Sequence, residues 1–160
     1  MAAVDAASIF EPGANLNQSQ STVDSTNTID LGQGKDAFGN YLANPDIGMG
    51  KPVFVDILIT TTATGTTGAT AQFFLYDAAD SGGTGSSYAG TAGAFTGGNN
   101  PIGATGIIPL ASLTAGAHFF IAVPPYAREY LKITESSAGG QNFTGGKWAA
   151  WLSGEPVSTV

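Results

Sequence analysis

The stretch Pro-Val-Phe-Val-Asp-Ile-Leu-Ile-Thr-Thr, Pro52 to Thr61, constrains this chain more than any other. Its residues alternate and are largely β-branched. Val53, Val55, Ile57 and Ile59 fall on one face, and Phe54, Asp56, Leu58 and Thr60 on the other. One face is fully apolar and the other mixed. That pattern predicts a central strand with one side on a core and the other partly covered.

Shorter segments of the same kind follow in order. Residues 1–21 mix Ala, Asn, Gln and Ser around the apolar pair Ile9 and Phe10 and predict an extended arm, which lies along its own domain or reaches to a neighbour. Thr26 to Leu31 predicts a strand, with a further short one near Thr22 and Val23. Gln33 to Lys51 carries four glycines and two X-Pro steps, so it predicts a long loop, with Phe38 and Tyr41 on it. Ala63 to Gly68 predicts a turn, and Thr70 to Asp77 a returning strand that makes a hairpin or wide arch with the central one. Residues 78–101 are Gly, Ser, Thr, Asn and Ala with isolated Tyr88 and Phe95. A loop of that length is usually functional or mobile.

Ile102 to Leu110 predicts a weak strand and Pro109 to Gly116 a short corner closed by glycine. Ala117 to Val123 places Phe119, Ile121 and Val123 opposite His118, Phe120 and Ala122, and Pro124-Pro125 stops it. Tyr130 to Glu135 turns Leu131 and Ile133 inward. Gly146 to Leu152 sets Trp148, Ala150 and Leu152 against Lys147, Ala149 and Trp151. No amphipathic helix of useful length appears. The expected fold is all-β: a jelly-roll β-sandwich of about eight antiparallel strands with long glycine-rich loops. Its expected organisation is an arm at 1–21, the jelly-roll domain at 22–153 and a tail at 154–160.

Composition excludes several function classes. The chain has 160 residues, enough for one domain that buries roughly 70% of its unfolded surface. It contains no cysteine, which removes disulfides, thiol catalysis and cysteine-ligated zinc. The net charge is −7, and the five basic residues, Lys35, Lys51, Arg128, Lys132 and Lys147, are scattered, a field that repels phosphate backbones. Direct nucleic-acid binding is therefore not expected. The first residues lack a basic n-region and carry Asp5, so they do not read as a secretory signal. No run of apolar residues is long enough to span a membrane as a helix.

Several fragments resemble chemical motifs and fall short of them. Gly32-Gln-Gly34 follows a strand, but prolines and glycines replace the helix a dinucleotide fingerprint needs. Gly145-Gly146-Lys147 lacks the first glycine and the Ser or Thr of a phosphate loop, and reads as a turn entering a strand. Asp77 and Asp80 could supply a calcium turn, yet no later glutamate completes it. His118 is the only histidine, and a triad or zinc site there would need distant carboxylates. Glu129 and Glu135 could be set up as a hydrolytic carboxylate pair, as could several other acidic residues. No catalytic, cofactor-binding or metal-ligating residue is assigned. Phe120 and Trp151, both opposite the expected core, mark either a second covered layer or a contact surface.

An ordered set of segments carries a resemblance. Ser25-Thr-Asn-Thr-Ile-Asp-Leu-Gly32, Asp46-Ile-Gly-Met-Gly50-Lys-Pro52, Leu113-Thr-Ala-Gly116, Glu129-Tyr-Leu-Lys-Ile-Thr134 and the turn from Phe143 to Lys147 resemble the capsid cement proteins of tailed bacteriophages, of the Bordetella-phage jelly-roll type. The likeness covers most of residues 22–152. The chain departs from it by inserted residues between Gly32 and Asp46, a longer 78–101 loop and a longer N-terminal arm.

The resemblance implies a non-enzymatic virion protein. Such a protein is made in the bacterial host cytoplasm and binds the outer surface of the head, where it bridges subunits of the major capsid protein. It implies a homo-oligomer, dimer or trimer, and no cofactor. Candidate contact residues are Ile9, Phe10, Phe38, Tyr41, Tyr88 and Phe95, as aromatic or apolar residues in otherwise polar segments, and Phe120 and Trp151, as aromatic residues opposite the expected core. The alternative is a carbohydrate-binding sandwich module of a phage tail or adhesin, which outward Trp and Tyr would also suit.

Overall fold

A computed structural model of the chain describes residues 8–16, 22–32, 38, 52–78, 101–127, 129–138 and 143–154. The long run expected to be central is central. It forms β4 (Val53–Gly65), flanked in its sheet by β10 (Phe143–Ser153) and β8 (His118–Val123). With β1 (Ile9–Asn15) on the far side of β10, these make the first sheet, in the order β1-β10-β4-β8. The second sheet is built on β9 (Tyr130–Ala138) and β5 (Thr70–Ala78). Two short strands, β2 (Thr22–Asp24) and β3 (Ile29–Asp30), share the outer edge of β9, and β6 (Gly103–Ala104) and β7 (Ile108–Pro109) share that of β5. Each short pair occupies one strand position, so the second sheet reads β2/β3-β9-β5-β6/β7. All pairings are antiparallel. Successive strand positions change sheets at every connection except β5 to β6, which is jelly-roll connectivity.

The core follows from the alternation. Val55, Ile57 and Ile59 of β4 and Trp148 and Ala150 of β10 face Phe73 and Leu75 of β5 and Leu131 and Ile133 of β9, all buried. Phe73 meets Trp148 edge-on across the two sheets, ring centroids 5.1 Å apart. Burying each such side chain contributes about 1.5–3 kcal/mol.

Four local expectations are corrected. First, the N-terminal segment is not an arm over Ile9–Asn15 but an edge strand, and Phe10 is buried in the core with Leu16. Strand β1 escaped notice because Pro12, Gly13 and two register shifts break its alternation. The sandwich therefore begins before residue 22. Second, the turn after β4 is shorter than expected, since the strand runs on to Gly65; β4 and β5 then lie in different sheets, an arch rather than a hairpin. Third, Thr26 to Leu31 is strand only at Ile29–Asp30, and the weak strand at 102–110 divides into β6 and β7. Between the two pieces Thr105 substitutes for the missing ladder, its Oγ1 accepting from Phe73 N–H at 3.0 Å. Fourth, Gly145 and Gly146 are not a turn entering β10 but lie inside it, where the register shifts. A Cβ on Gly146 would stand 2.7 Å from Leu16 Cδ1 and 2.8 Å from Ala63 Cα, at φ +119°. Only glycine fits there. The expected corner is present as a 3-10 turn, Leu110–Ser112, with Gly116 at φ 89° beyond it.

Both sides of the sandwich are closed. At one, a Cβ on Gly103 of β6 would meet Ile121 Cγ2 of β8 at 2.6 Å, so the sheet edges abut. At the other, the segment between β2 and β3 reaches across to β1. Asn27 donates its backbone N–H to Phe10 O at 2.9 Å and its side-chain amide to Ile9 O at 3.0 Å. Buried Glu11 accepts from Gly13 N–H at 2.9 Å, Thr26 N–H at 2.8 Å and Thr26 Oγ1 at 2.6 Å.

Candidate functional site

The outer face of the first sheet carries the most concentrated set of chemically distinctive residues. The strand period turns Asp56 and Leu58 of β4, His118 and Phe120 of β8 and Ala149 and Trp151 of β10 away from the core. The ladder aligns them: Asp56 lies opposite Trp151 on one side and Phe120 on the other, and Leu58 opposite Ala149 and His118. Ile9 of β1 is paired with Trp151 and extends the row. Phe120, Trp151 and Ile9 are half-buried.

Asp56 is buried completely, although it sits on an outer face. Its Oδ1 is 2.8 Å from His118 Nδ1, and its Oδ2 is buried with no hydrogen-bond partner among the described residues. Burial pushes the Asp56 carboxyl up from its ordinary value, and the hydrogen bond and charge of His118 oppose that only in part. The His118 ring stacks on Phe120, centroids 6.2 Å apart and planes 14° apart. It also meets Trp151 edge-on at 6.3 Å. The distant carboxylate that a histidine pair requires thus exists, 62 residues earlier in the chain. Nothing local in the sequence pointed to it. The signal was a lone aspartate in the most apolar strand and a lone histidine in another.

Of the expected contact residues, the structure brings Ile9, Phe120 and Trp151 together on this face. Phe10 is corrected to a core residue. Phe38 is 89% exposed. Tyr41, Tyr88 and Phe95 lie outside the described residues.

The other candidates are placed as follows. Asp77 is buried within β5 rather than in a turn, and Asp80 lies outside the described residues. Glu135 is sealed on the core side of β9, whereas Glu129 stands half-buried before that strand begins, so the two do not share a cleft. Among the described residues no group of three or more His, Asp or Glu could hold a metal ion.

A second feature lies on the outer face of the second sheet. A cavity of about 220 Å³ is lined by Thr22, Phe74, Tyr76 and Ser136. Burial and the nearby Asp24 charge push the Tyr76 hydroxyl up to about 12. Asp24 accepts from Thr134 Oγ1 at 2.7 Å and lies 3.6 Å from Lys132 Nζ. These contacts tie β2 to β9.

Comparison with curated proteins gives no match. Comparison with protein families does, and it covers nearly all of the sandwich. The profile described as Bbp16 matches residues 17–152, from just after β1 to the end of β10. The jelly-roll frame and its outward aromatic row accordingly belong to a chain that is a member of the Bbp16 family, a family of Bordetella phage proteins.

Proposed function

We propose that this protein is a capsid cement protein, which binds the outer surface of a phage head and bridges major capsid protein subunits against the pressure of packaged DNA. The observation that carries the reading is the half-buried row of Ile9, Trp151 and Phe120 across one sheet of a phage-family sandwich. Aromatic side chains on a flat, rigid sheet are what a protein-docking surface uses. The resemblance of the ordered segments to cement proteins supports the same reading.

Cementing needs no chemistry beyond selective binding. A protein that binds only the mature lattice stabilises it by mass action, by about 2.7 kcal/mol per site at a hundredfold excess over Kd. Contact with two subunits raises the effective concentration for the second contact, and a small homo-oligomer, dimer or trimer, multiplies the effect. Its place is the virion surface, away from the nucleic acid that its negative charge disfavours.

Co-sedimentation with phage heads before and after expansion tests this. The expected result is saturable binding to expanded heads, with higher resistance to heat and osmotic shock. Absence of binding to either form, with selective binding on a glycan array instead, would replace the reading with a carbohydrate-binding module. Trp151 beside His118 and Asp56 is the feature that such a module would use.

A further inference from the structure

The Asp56–His118 pair is costly where it stands. A carboxylate with one oxygen on a single ring nitrogen and the other buried without a partner destabilises the fold, and a hydrophobic residue there would not. What the arrangement does provide is orientation. Asp56 holds His118 Nδ1, so the one polar ring atom left for an outside group is Nε2, framed by Phe120 and Trp151.

The pair also makes Nε2 change character with pH. With the carboxylate ionised and the ring neutral, Nδ1–H donates to Asp56 Oδ1 and Nε2 is an acceptor. One added proton has three places to go. On the ring, it makes imidazolium, and Nε2–H becomes a donor. On the carboxylate, Asp56 donates to Nδ1, the ring tautomer shifts, and Nε2 again carries the hydrogen. On the far carboxylate oxygen, Oδ2, it would leave Nε2 an acceptor, but it would bury an O–H with no acceptor among the described residues; on either of the two facing atoms, uptake by the pair converts Nε2 from acceptor to donor.

Other charges that face the pair are few among the described residues. On β10 there is exposed Lys147; on β8 and β4 no further titratable group turns outward. On β1, Glu11 is committed to Gly13 and Thr26. Among the described residues the exposed formal charge on this face is that one lysine, which lies opposite Thr61, further along β4 than the pair. A face with no exposed carboxylate among the described residues, and with an Nε2 that can donate, suits a protein surface presenting carboxylates and carbonyls.

We propose that His118 Nε2, aimed by Asp56, is the hydrogen-bonding contact at the centre of the docking face, and that this face grips a carboxylate or backbone carbonyl of the partner protein more tightly as pH falls. The inference rests on the cement reading and deepens it. Asp56 acts here as a positioning residue.

Two substitutions separate the ring nitrogens. In His118→Asn the side-chain amide keeps a donor where Nδ1 stands and leaves nothing at Nε2. In His118→Gln the donor stands near Nε2 and Asp56 loses its partner. Binding to expanded heads is measured by co-sedimentation at about pH 6 and about pH 8. Wild type is expected to bind at least about tenfold more tightly at the lower pH, as the gain of one charge-assisted hydrogen bond would give. His118→Asn is expected to melt like wild type yet bind weakly at both pH values. His118→Gln is expected to melt lower and to bind without pH dependence.

Binding of His118→Asn equal to wild type, with the same pH dependence, overturns the proposal and leaves the cement reading standing. So does wild-type binding that is indifferent to pH. Failure of the wild type to bind heads at either pH, with glycan binding in its place, overturns both.

Discussion

At the scale of single residues, the pairing of Asp56 with His118 has a consequence for stability that can be separated from binding. A carboxyl whose folded pKa lies above its ordinary 3.8 takes up its proton more readily folded than unfolded. Its contribution to stability is therefore present at low pH and is lost as pH rises through the folded value. Asp56→Asn removes that loss and keeps an oxygen for His118 Nδ1–H. We expect the variant to be more stable than wild type by about 1 kcal/mol at pH 8, with the gap closing toward pH 4. Urea denaturation at a series of pH values checks this, and a variant less stable at pH 8 would contradict it. Residues of this kind were the least legible from the chain alone. Asp56 read as one polar member of a mixed face, and His118 as a solitary histidine. Their meeting depends on the β4–β8 register, which no local pattern states.

Elements were legible in proportion to how evenly they alternate. Strand β4 was plain, because valine and isoleucine recur at every second position from Val53 to Ile59. Strands β8, β9 and β10 were recognised with their core faces correctly assigned. The failure was β1, where Glu11, Pro12 and Gly13 look like loop residues. Glu11 is there for a reason the alternation rule does not contain: its carboxylate satisfies two backbone N–H groups and a hydroxyl at the point where the sheets must be joined. Glu11→Ala leaves those N–H groups without their acceptor. We expect it to destabilise the fold by about 1–3 kcal/mol, since hydrogen bonds to a charged group contribute about 1.5–3 kcal/mol and these half-exposed donors can turn to water. The loss should appear first as faster amide exchange in β1, which sits at the edge. Unchanged protection of β1 would show that Asn27 alone holds it.

For the whole molecule, the two facts that matter are the two-sheet sandwich and an outer sheet face whose large apolar residues come from three different strands. Trp151, Phe120 and Ile9 are far apart in sequence, so the face exists only when the first sheet is complete. Its candidate members were found from the sequence one at a time, by composition. That Phe10 belonged to the core while its neighbour Ile9 belonged to the surface required the strand to be seen.

The position of β10 carries a further consequence, in time rather than in space. It is the last of the ten described strands to leave the ribosome, yet it lies in the middle of its sheet, with β1 on one side and β4 on the other. Nascent chains that lack it leave β1 without its ladder and β4 paired on one side only, and Trp148 is missing from the core. Folding must wait for β10 and then close long loops, which places it in the slow range of about milliseconds to seconds for single domains. Ribosome-bound chains halted before Phe143 should therefore be cut by protease along their length, whereas chains released after Ser153 should resist. A chain built this way cannot present the outer face of its first sheet while half made.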